Sequence, residues 1–390
     1  MANLHSIAFR LFLQELHRTE RVADHLNALL EQAIREVNRP LDLQFVRPEW
    51  EMIIDPWQVR DLETYLKIER IGRKMPLQRG QREELWRVFE RMWSLLEEQH
   101  LVTFNTVCHA VADYLERHPE HRYRCVVVDE AQDFGPAELR LIRALAPQDE
   151  QENALFLCAD MRQRIYRPAT PWIRFGIDTR GRSYTLRVNY RTTRQIQDFA
   201  ESVLPTAIED AQEDEARILS DRPIALMRGV APEVRVYENI PAEMRGLKEW
   251  IYRCLNENIQ PGEIAIFARS ENALKEVEKL LQEVLQERGI QVRLLQRNSP
   301  PVPYALNYGT AHSAKGLEFR AVAVVRVTSG YFPNYAAIKD IVDTAERKAK
   351  EDQERQLLYT VCTRARERLY ISWSPTTSRS TFLPSQGTSG

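Results

Sequence analysis

The chain has 390 residues, 43% of them hydrophobic, which is enough for two or three domains with sizeable cores. Lys and Arg number 54 against 56 Asp and Glu, for a formal net charge of −2, so the chain as a whole is neither a polyanion-coating protein nor an acidic one, and any nucleic-acid surface must be local. The five cysteines, Cys108, Cys125, Cys158, Cys254 and Cys362, are scattered without a CxxC or a Cys/His cluster, which excludes the usual zinc spacings and a disulfide framework and suits a reducing compartment.

Charges interrupt the first apolar run and no small-residue cleavage site follows it, so the N-terminus does not read as a secretory signal. No uninterrupted apolar stretch approaches the ~20 residues of a membrane span. The expectation is a cytoplasmic protein without a membrane partner. Residues 1–120 read as helical. Leu85, Phe89, Met92 and Leu96 form one stripe of a helix, and Phe104, Val107, Val111 and Tyr114 form another. At Arg124 the character changes. Cys125 to Val128 is a short continuous apolar run, the pattern of a strand buried on both faces of a parallel sheet. A helix from Glu138 to Leu145 and a strand from Ala154 to Cys158 follow, and the alternation points to an α/β layer fold.

Residues 161–194 hold nine arginines and one acid, interleaved with Tyr166, Trp172, Phe175, Tyr184 and Tyr190. Residues 209–215, EDAQEDE, read as an exposed acidic connection. A second α/β stretch then predicts strands at Ile264–Ala268, Val292–Leu295, Arg320–Val327 and Leu369–Ser372, with helices at Glu271–Glu287 and 345–358. From Ser374 the Ser-, Thr- and Pro-rich tail predicts disorder.

The strand Val126–Val128 runs into Asp129-Glu130-Ala131-Gln132-Asp133, which places two adjacent carboxylates at the carboxyl edge of a parallel sheet, where α/β folds bind ligands. One carboxylate there can hold Mg²⁺ while the next orients or deprotonates an attacking water; the plain alternative is a solvated acidic loop. Arg164-Ile165-Tyr166 and Asn189-Tyr190-Arg191 set rings beside guanidinium groups, an arrangement that suits stacked bases and paired phosphates, although a charge run is more often a solvated face. Downstream, His312 to Phe319 (HSAKGLEF) leads into a buried strand, and Leu357 to Arg366 (LLYTVCTRAR) ends a helix before the last one.

In this order the elements resemble the motifs of the UvrD/Rep-type superfamily 1 DNA helicases: DEAQD motif II, Asp160 to Tyr166 motif III, Leu186 to Thr192 motif IV, Thr310 to Phe319 motif V and Glu354 to Leu369 motif VI. The likeness runs from about Tyr123 to Ile371. It implies an α/β fold with two RecA-like parallel-sheet motor domains, the first incomplete, and a helical insertion-type subdomain at the N-terminus. The expected divisions are 1–120 helical, 121–194 the partial first motor domain, 195–373 the second, and 374–390 a disordered tail.

The resemblance also implies roles. Asp129 would hold Mg²⁺ and Glu130 would be the general base; Gln163 would sense the γ-phosphate of ATP. Tyr190 would stack on adenine, Arg191 would reach the γ-phosphate, and Glu318, with Gly316 beside it, would meet the nucleotide ribose. Arg364 would be the arginine finger, worth typically ~10³–10⁵ in rate. Tyr166, Arg164, His312 and Trp172 would face single-stranded DNA, Trp172 being alternatively a core residue. The implied activity is ATP-dependent 3′-to-5′ movement on DNA.

Two departures stand out. The family cradles phosphate in GxxxxGK[ST], the Walker A loop, and no such sequence occurs here: before Asp129 the glycines are Gly72, followed by Arg73, and Gly80, followed by Gln81. The expectation is therefore a first motor domain short of a strand, with apolar surface uncovered, and little ATP turnover by the chain alone. A separate segment or chain supplying Walker A is one partner this implies; a non-catalytic DNA- or partner-binding subunit is the alternative. The second departure is the short bridge from Leu295 to Thr310, where Rep and UvrD carry a large accessory subdomain.

Overall fold

The computed structural model describes residues 3–38, 41–70, 73, 76–147, 154–165, 170–204, 223–296, 301–339, 341, 344–374 and 379–384. The chain divides into two compact units, Met1–Asp160 with Tyr166–Ser183, and Met161–Ile165 with Tyr184–Gly390.

The first unit opens with helices α1 (Leu4–Gln14), α2 (Leu26–Val37), α3 (Leu43–Glu49), α4 (Leu62–Lys67), α5 (Arg79–Glu98) and α6 (Phe104–Arg117), and a short parallel pair, β1 (Arg21–Val22) with β2 (Leu101–Val102). Asn3, Asp42, Asp61 and Thr103 start four of these helices, each side chain accepting an N–H of the first turn that has no partner inside the helix. The predicted stripe of α5 is buried throughout, at Leu85, Phe89, Met92 and Leu96, and it packs with Trp50, Trp93 and Tyr65. Buried Glu49 in this core accepts from Arg70 at 2.6 Å and from the Tyr65 hydroxyl at 2.9 Å, so its charge is matched where water is excluded.

After this helical part come β3 (Val126–Val128), α7 (Pro136–Leu145) and β4 (Leu155–Leu157). β3 and β4 pair in parallel, Val126 opposite Leu155 and Val128 opposite Leu157. α7 begins with Pro136, whose missing N–H costs nothing in a first turn, and Glu138 accepts the Gly135 amide at 3.0 Å. One face of the pair packs on α7 through Val128, Ala131 and Ile142. The other does not. Val127 is 69% and Phe156 60% exposed, which corrects the expectation of a strand buried on both faces. A sheet face acquires its cover from neighbouring elements, and an apolar run states only the demand for one.

In the second unit, a two-stranded parallel pair, β5 (Val188–Asn189) with β6 (Ile224–Ala225), packs against α8 (Arg194–Val203). A six-stranded, wholly parallel sheet has the order β7-β12-β11-β8-β10-β9, built from β7 (Glu233–Val236), β8 (Ile264–Ala268), β9 (Gln291–Leu294), β10 (Ala305–Thr310), β11 (Phe319–Val324) and β12 (Ala365–Trp373). Helices α9 (Ile240–Asn256), α10 (Glu271–Arg288), α11 (Tyr335–Ile338) and α12 (Thr344–Cys362) complete the unit. All five residues of β8 are buried, and Ile264, Ile266 and Ala268 share one core with Leu247 and Trp250 of α9 and Val277 and Leu281 of α10. The mixed α/β architecture with parallel sheets is the one expected.

β10 is an addition to the predicted elements. The tail also differs: Thr328 and Arg379 form an antiparallel bridge, and Ser380, Phe382 and Leu383 are buried, so residues 379–384 are packed where disorder was expected. The acidic connection 209–215 lies outside the described residues. Among the described residues, no helix is long and apolar enough to cross a membrane.

Candidate functional site

In the first unit, β3 delivers Asp129 to the carboxyl end of the parallel pair, where its side chain is exposed. The next residue leaves the strand direction. Glu130 is left-handed, with φ 54° and ψ 38°, a conformation that costs a non-glycine residue roughly 1 kcal/mol or more and that persists at sites where surroundings fix it. The Glu130 amide donates to Asp129 Oδ1 at 2.9 Å, and the 3₁₀ turn Ala131–Asp133 follows. Gln132, 5% exposed, donates from Nε2 to Glu130 Oε2 and accepts the Asp160 amide on Oε1 at 3.0 Å. Asp160 follows β4. Two carboxylates side by side, one open to solvent and one held by a buried amide, can divide the work of metal binding and proton transfer.

A second group of predicted residues gathers in the other unit. α12 ends at Cys362, and Arg364 stands just before β12, at the amino edge of the sheet beside the start of β11, where the Phe319 amide donates to Arg364 O at 3.0 Å. Arg364 is 2% exposed. Its guanidinium donates to Thr360 O at 2.9 Å, Leu317 O at 3.3 Å and Gln163 Oε1 at 2.8 Å. Lys315 donates to Gln163 O at 3.0 Å. The 3₁₀ turn Met161–Gln163 is thus gripped through both its side chain and its backbone. Nearby, Glu318 pairs with Arg191 at 3.0 Å and with Arg366 at 3.7 Å, all three side chains being about half exposed.

The remaining predicted residues are placed as follows. Tyr190 presents a ring 71% exposed. Gly316 is left-handed at φ +77°, a conformation that strains any side-chain-bearing replacement. His312 is half-buried in the 3₁₀ turn Ala311–Ala314 after β10, and Arg164 is half-buried after the Met161–Gln163 turn. Trp172 packs partly buried against Val128, Ala131 and Ile142 in the first unit, a core position. Tyr166 lies outside the described residues. The structure therefore brings Asp129 and Glu130 together in one unit, and Gln163, Arg191, Glu318 and Arg364 around one edge of the other.

Sequence reasoning missed Gln132, Lys315 and Arg366. The signal for Gln132 was its place inside DEAQD, two residues from the carboxylate that it holds. Lys315 and Arg366 carried no signal beyond lying in the motifs, because their partners stand far away in sequence.

Two family models match the chain: the UvrD/REP helicase N-terminal domain over residues 2–170 and the UvrD-like helicase C-terminal domain over residues 303–376. Among similar curated proteins, the ATP-dependent DNA helicase UvrD2 of Mycobacterium bovis is 25% identical over 351 residues, covering 65% of this chain and 48% of its own length. The ATP-dependent DNA helicase Rep of Buchnera aphidicola is 29% identical over 130 residues, 33% of this chain and 17% of that protein. The ATP-dependent DNA helicase UvrD1 of Mycobacterium tuberculosis is 43% identical over 63 residues, 16% of this chain and 7% of that protein. The chain thus spans about half the length of the first of these relatives, and less of the other two.

Proposed function

Because the chain belongs to the UvrD/Rep family of helicases, we propose that its chemistry is ATP-driven movement along single-stranded DNA in the 3′-to-5′ direction. The observation that carries this reading is the acid pair: Asp129 exposed at the end of a parallel strand, with Glu130 turned by a left-handed backbone and held by buried Gln132.

An exposed carboxylate oxygen is the hard donor that Mg²⁺ prefers, so Asp129 fits as its protein ligand. Bound Mg²⁺ would neutralise charge on the phosphate oxygens of ATP. Glu130 takes the proton of the attacking water. Arg191 and Arg364 offer fixed positive charge, Gln163 senses the terminal phosphate, Tyr190 supplies an open ring for adenine, and Glu318 and Gly316 take the ribose side. For DNA, His312, Arg164 and Tyr166 are the proposed contacts. The core position of Trp172 favours a packing role over base stacking.

Arg364 adds a condition. Its donors already have protein acceptors, so reaching a phosphate means exchanging Gln163 or a carbonyl for it. Arg191 must likewise leave Glu318. Within these 390 residues no GxxxxGK[ST] cradles phosphate, and the proposal is that this chain alone turns ATP over slowly.

The test is ATP hydrolysis by the purified chain, with and without single-stranded DNA, beside Glu130→Gln. The expected result is low turnover, raised by a supplied segment carrying GxxxxGK[ST] and abolished by Glu130→Gln. Salt-sensitive binding to single strands that ignores ATP, with no hydrolysis even after that addition, would replace the motor reading with a non-catalytic DNA-binding subunit.

A further inference from the structure

Gln132 has a role in this site that its position in the motif does not disclose. Its carboxamide is 5% exposed and spans two groups of opposite demand. The Asp160 amide can only donate, and it meets Oε1 at 3.0 Å. The Glu130 carboxylate, when ionised, can only accept, and it meets Nε2. The two partners fix which end of the amide points where, since the flipped arrangement would set donor against donor and acceptor against acceptor.

The spacing explains why such a link is available. Parallel pairing of β3 with β4 puts Val128 opposite Leu157. The two chains then leave the pair side by side, with the Cys158 amide donating to Val128 O at 2.8 Å and the Ala131 amide to Cys158 O at 2.9 Å. Gln132 sits on the 3₁₀ turn that follows Glu130, directly beside the end of β4. Asp160 is the last residue before the Met161–Gln163 turn.

We propose that Gln132 is a positioning residue: it fixes the Glu130 carboxylate by reference to the Asp160 backbone, so the base and the chain that leaves β4 move together. It touches neither substrate nor metal. Glu130 pays for its left-handed backbone with local strain, and the amide defines where the side chain points once that strain is accepted. The inference rests on the reading of Glu130 as the base, but the coupling is measurable without any turnover.

The experiment is a double-mutant cycle read on amide hydrogen exchange at Asp160, in the full chain, where the exchange rate reports local opening. Glu130→Ala removes the acceptor on the far side of Gln132. With Gln132 intact, the Asp160 amide is expected to exchange roughly three- to tenfold faster in Glu130→Ala, the scale of one hydrogen bond. Gln132→Met should accelerate Asp160 exchange by itself and abolish its response to Glu130→Ala. Gln132→Glu keeps an oxygen for the Asp160 amide but has no donor for Glu130, so Asp160 should stay protected yet become insensitive to Glu130→Ala. If Glu130→Ala leaves Asp160 exchange unchanged in the Gln132 chain, or if the response persists in Gln132→Met, the coupling is overturned. Loss of the motor reading would appear instead in the hydrolysis assay, with this cycle intact.

Discussion

Removing the Arg364 guanidinium takes a donor from Thr360 O, which keeps the Thr363 hydroxyl at 3.0 Å, and from Leu317 O and Gln163 Oε1 at partly buried positions. A hydrogen bond to a charged group is worth about 1.5–3 kcal/mol, and neighbouring losses are only partly additive, so Arg364→Ala should destabilise the chain by about 2–3 kcal/mol. Arg191 pairs with Glu318 in the open, where an ion pair is worth about 1 kcal/mol or less, so Arg191→Ala should be nearly silent in stability. Urea unfolding of the two variants separates them; equal losses would mean that Arg364 is not held as described. Arg364→Lys keeps the charge but loses the planar fork, and should resemble the alanine variant in stability. The types of these residues were legible in the sequence, because Asp-Glu after an apolar run and Thr-Arg before one are local patterns. Their burial was not. Arg364 is enclosed by groups from the 163, 317 and 360 positions, and nothing local in a sequence states that such groups meet. The same holds for Gln132, whose second partner, Asp160, lies just past the end of the neighbouring strand.

At the scale of elements, α6 is tied to the stretch before α4 by His109. Its Nε2 lies 2.9 Å from Pro56 O, which only accepts, so Nε2 carries the proton; Nδ1 lies 3.1 Å from Arg140 Nη1, which only donates, so Nδ1 is bare. Burial pushes the His109 pKa below its ordinary 6.5, and the Arg140 charge adds to this, opposed by the Pro56 carbonyl and Asp113. The unfolded chain therefore takes up this proton more readily than the folded one, and stability should fall as pH drops through about 6.5, with full stability above it. His109→Gln can donate to Pro56 O and accept from Arg140 without titrating. Comparing urea midpoints between about pH 5 and 7 should show a flatter profile for the variant; parallel profiles would assign the pH dependence elsewhere. Elements with one dominant period were readable from the sequence: the stripes of α5 and α6, the apolar runs of β8, β11 and β12, and the helices α7, α10 and α12. β10 was not, because Asn307, Tyr308, Gly309 and Thr310 break the apolar run after a proline-rich stretch. Asn307 is fully buried nonetheless, its amide donating to Gly262 O and Ala305 O, so local hydrogen bonds replace the apolar signal there. The tail was misread for a related reason: composition said Ser and Thr, while Phe382 and Leu383 are enough to anchor a short stretch.

For the molecule as a whole, net charge leaves DNA affinity to local clusters, and the cluster that sequence singles out is partly spent inside the fold. Of the nine arginines in residues 161–194, at least five have carboxylate partners among the described residues: Arg162 with Glu201 at 3.8 Å, Arg174 with Glu69, Arg180 with Asp178 at 2.7 Å, Arg191 with Glu318 at 3.0 Å and Arg194 with Asp198 at 3.7 Å. The run has one acid of its own, Asp178; Asp198 and Glu201 follow shortly after it in α8, and Glu69 and Glu318 come from distant positions. A phosphate that meets one of these five arginines displaces a carboxylate from it. Each phosphate neutralised on a single strand contributes about −0.7 to the slope of log affinity against log salt, so all nine arginines would give about −6. Anisotropy of a labelled single strand, titrated across salt, reads that slope directly. A value near −6 would show that phosphates displace these carboxylates, and Arg191 would then leave Glu318 on meeting DNA as well as nucleotide. A clearly shallower slope fits a surface whose ion pairs persist on binding. A slope near zero would remove this arginine stretch from the DNA path altogether.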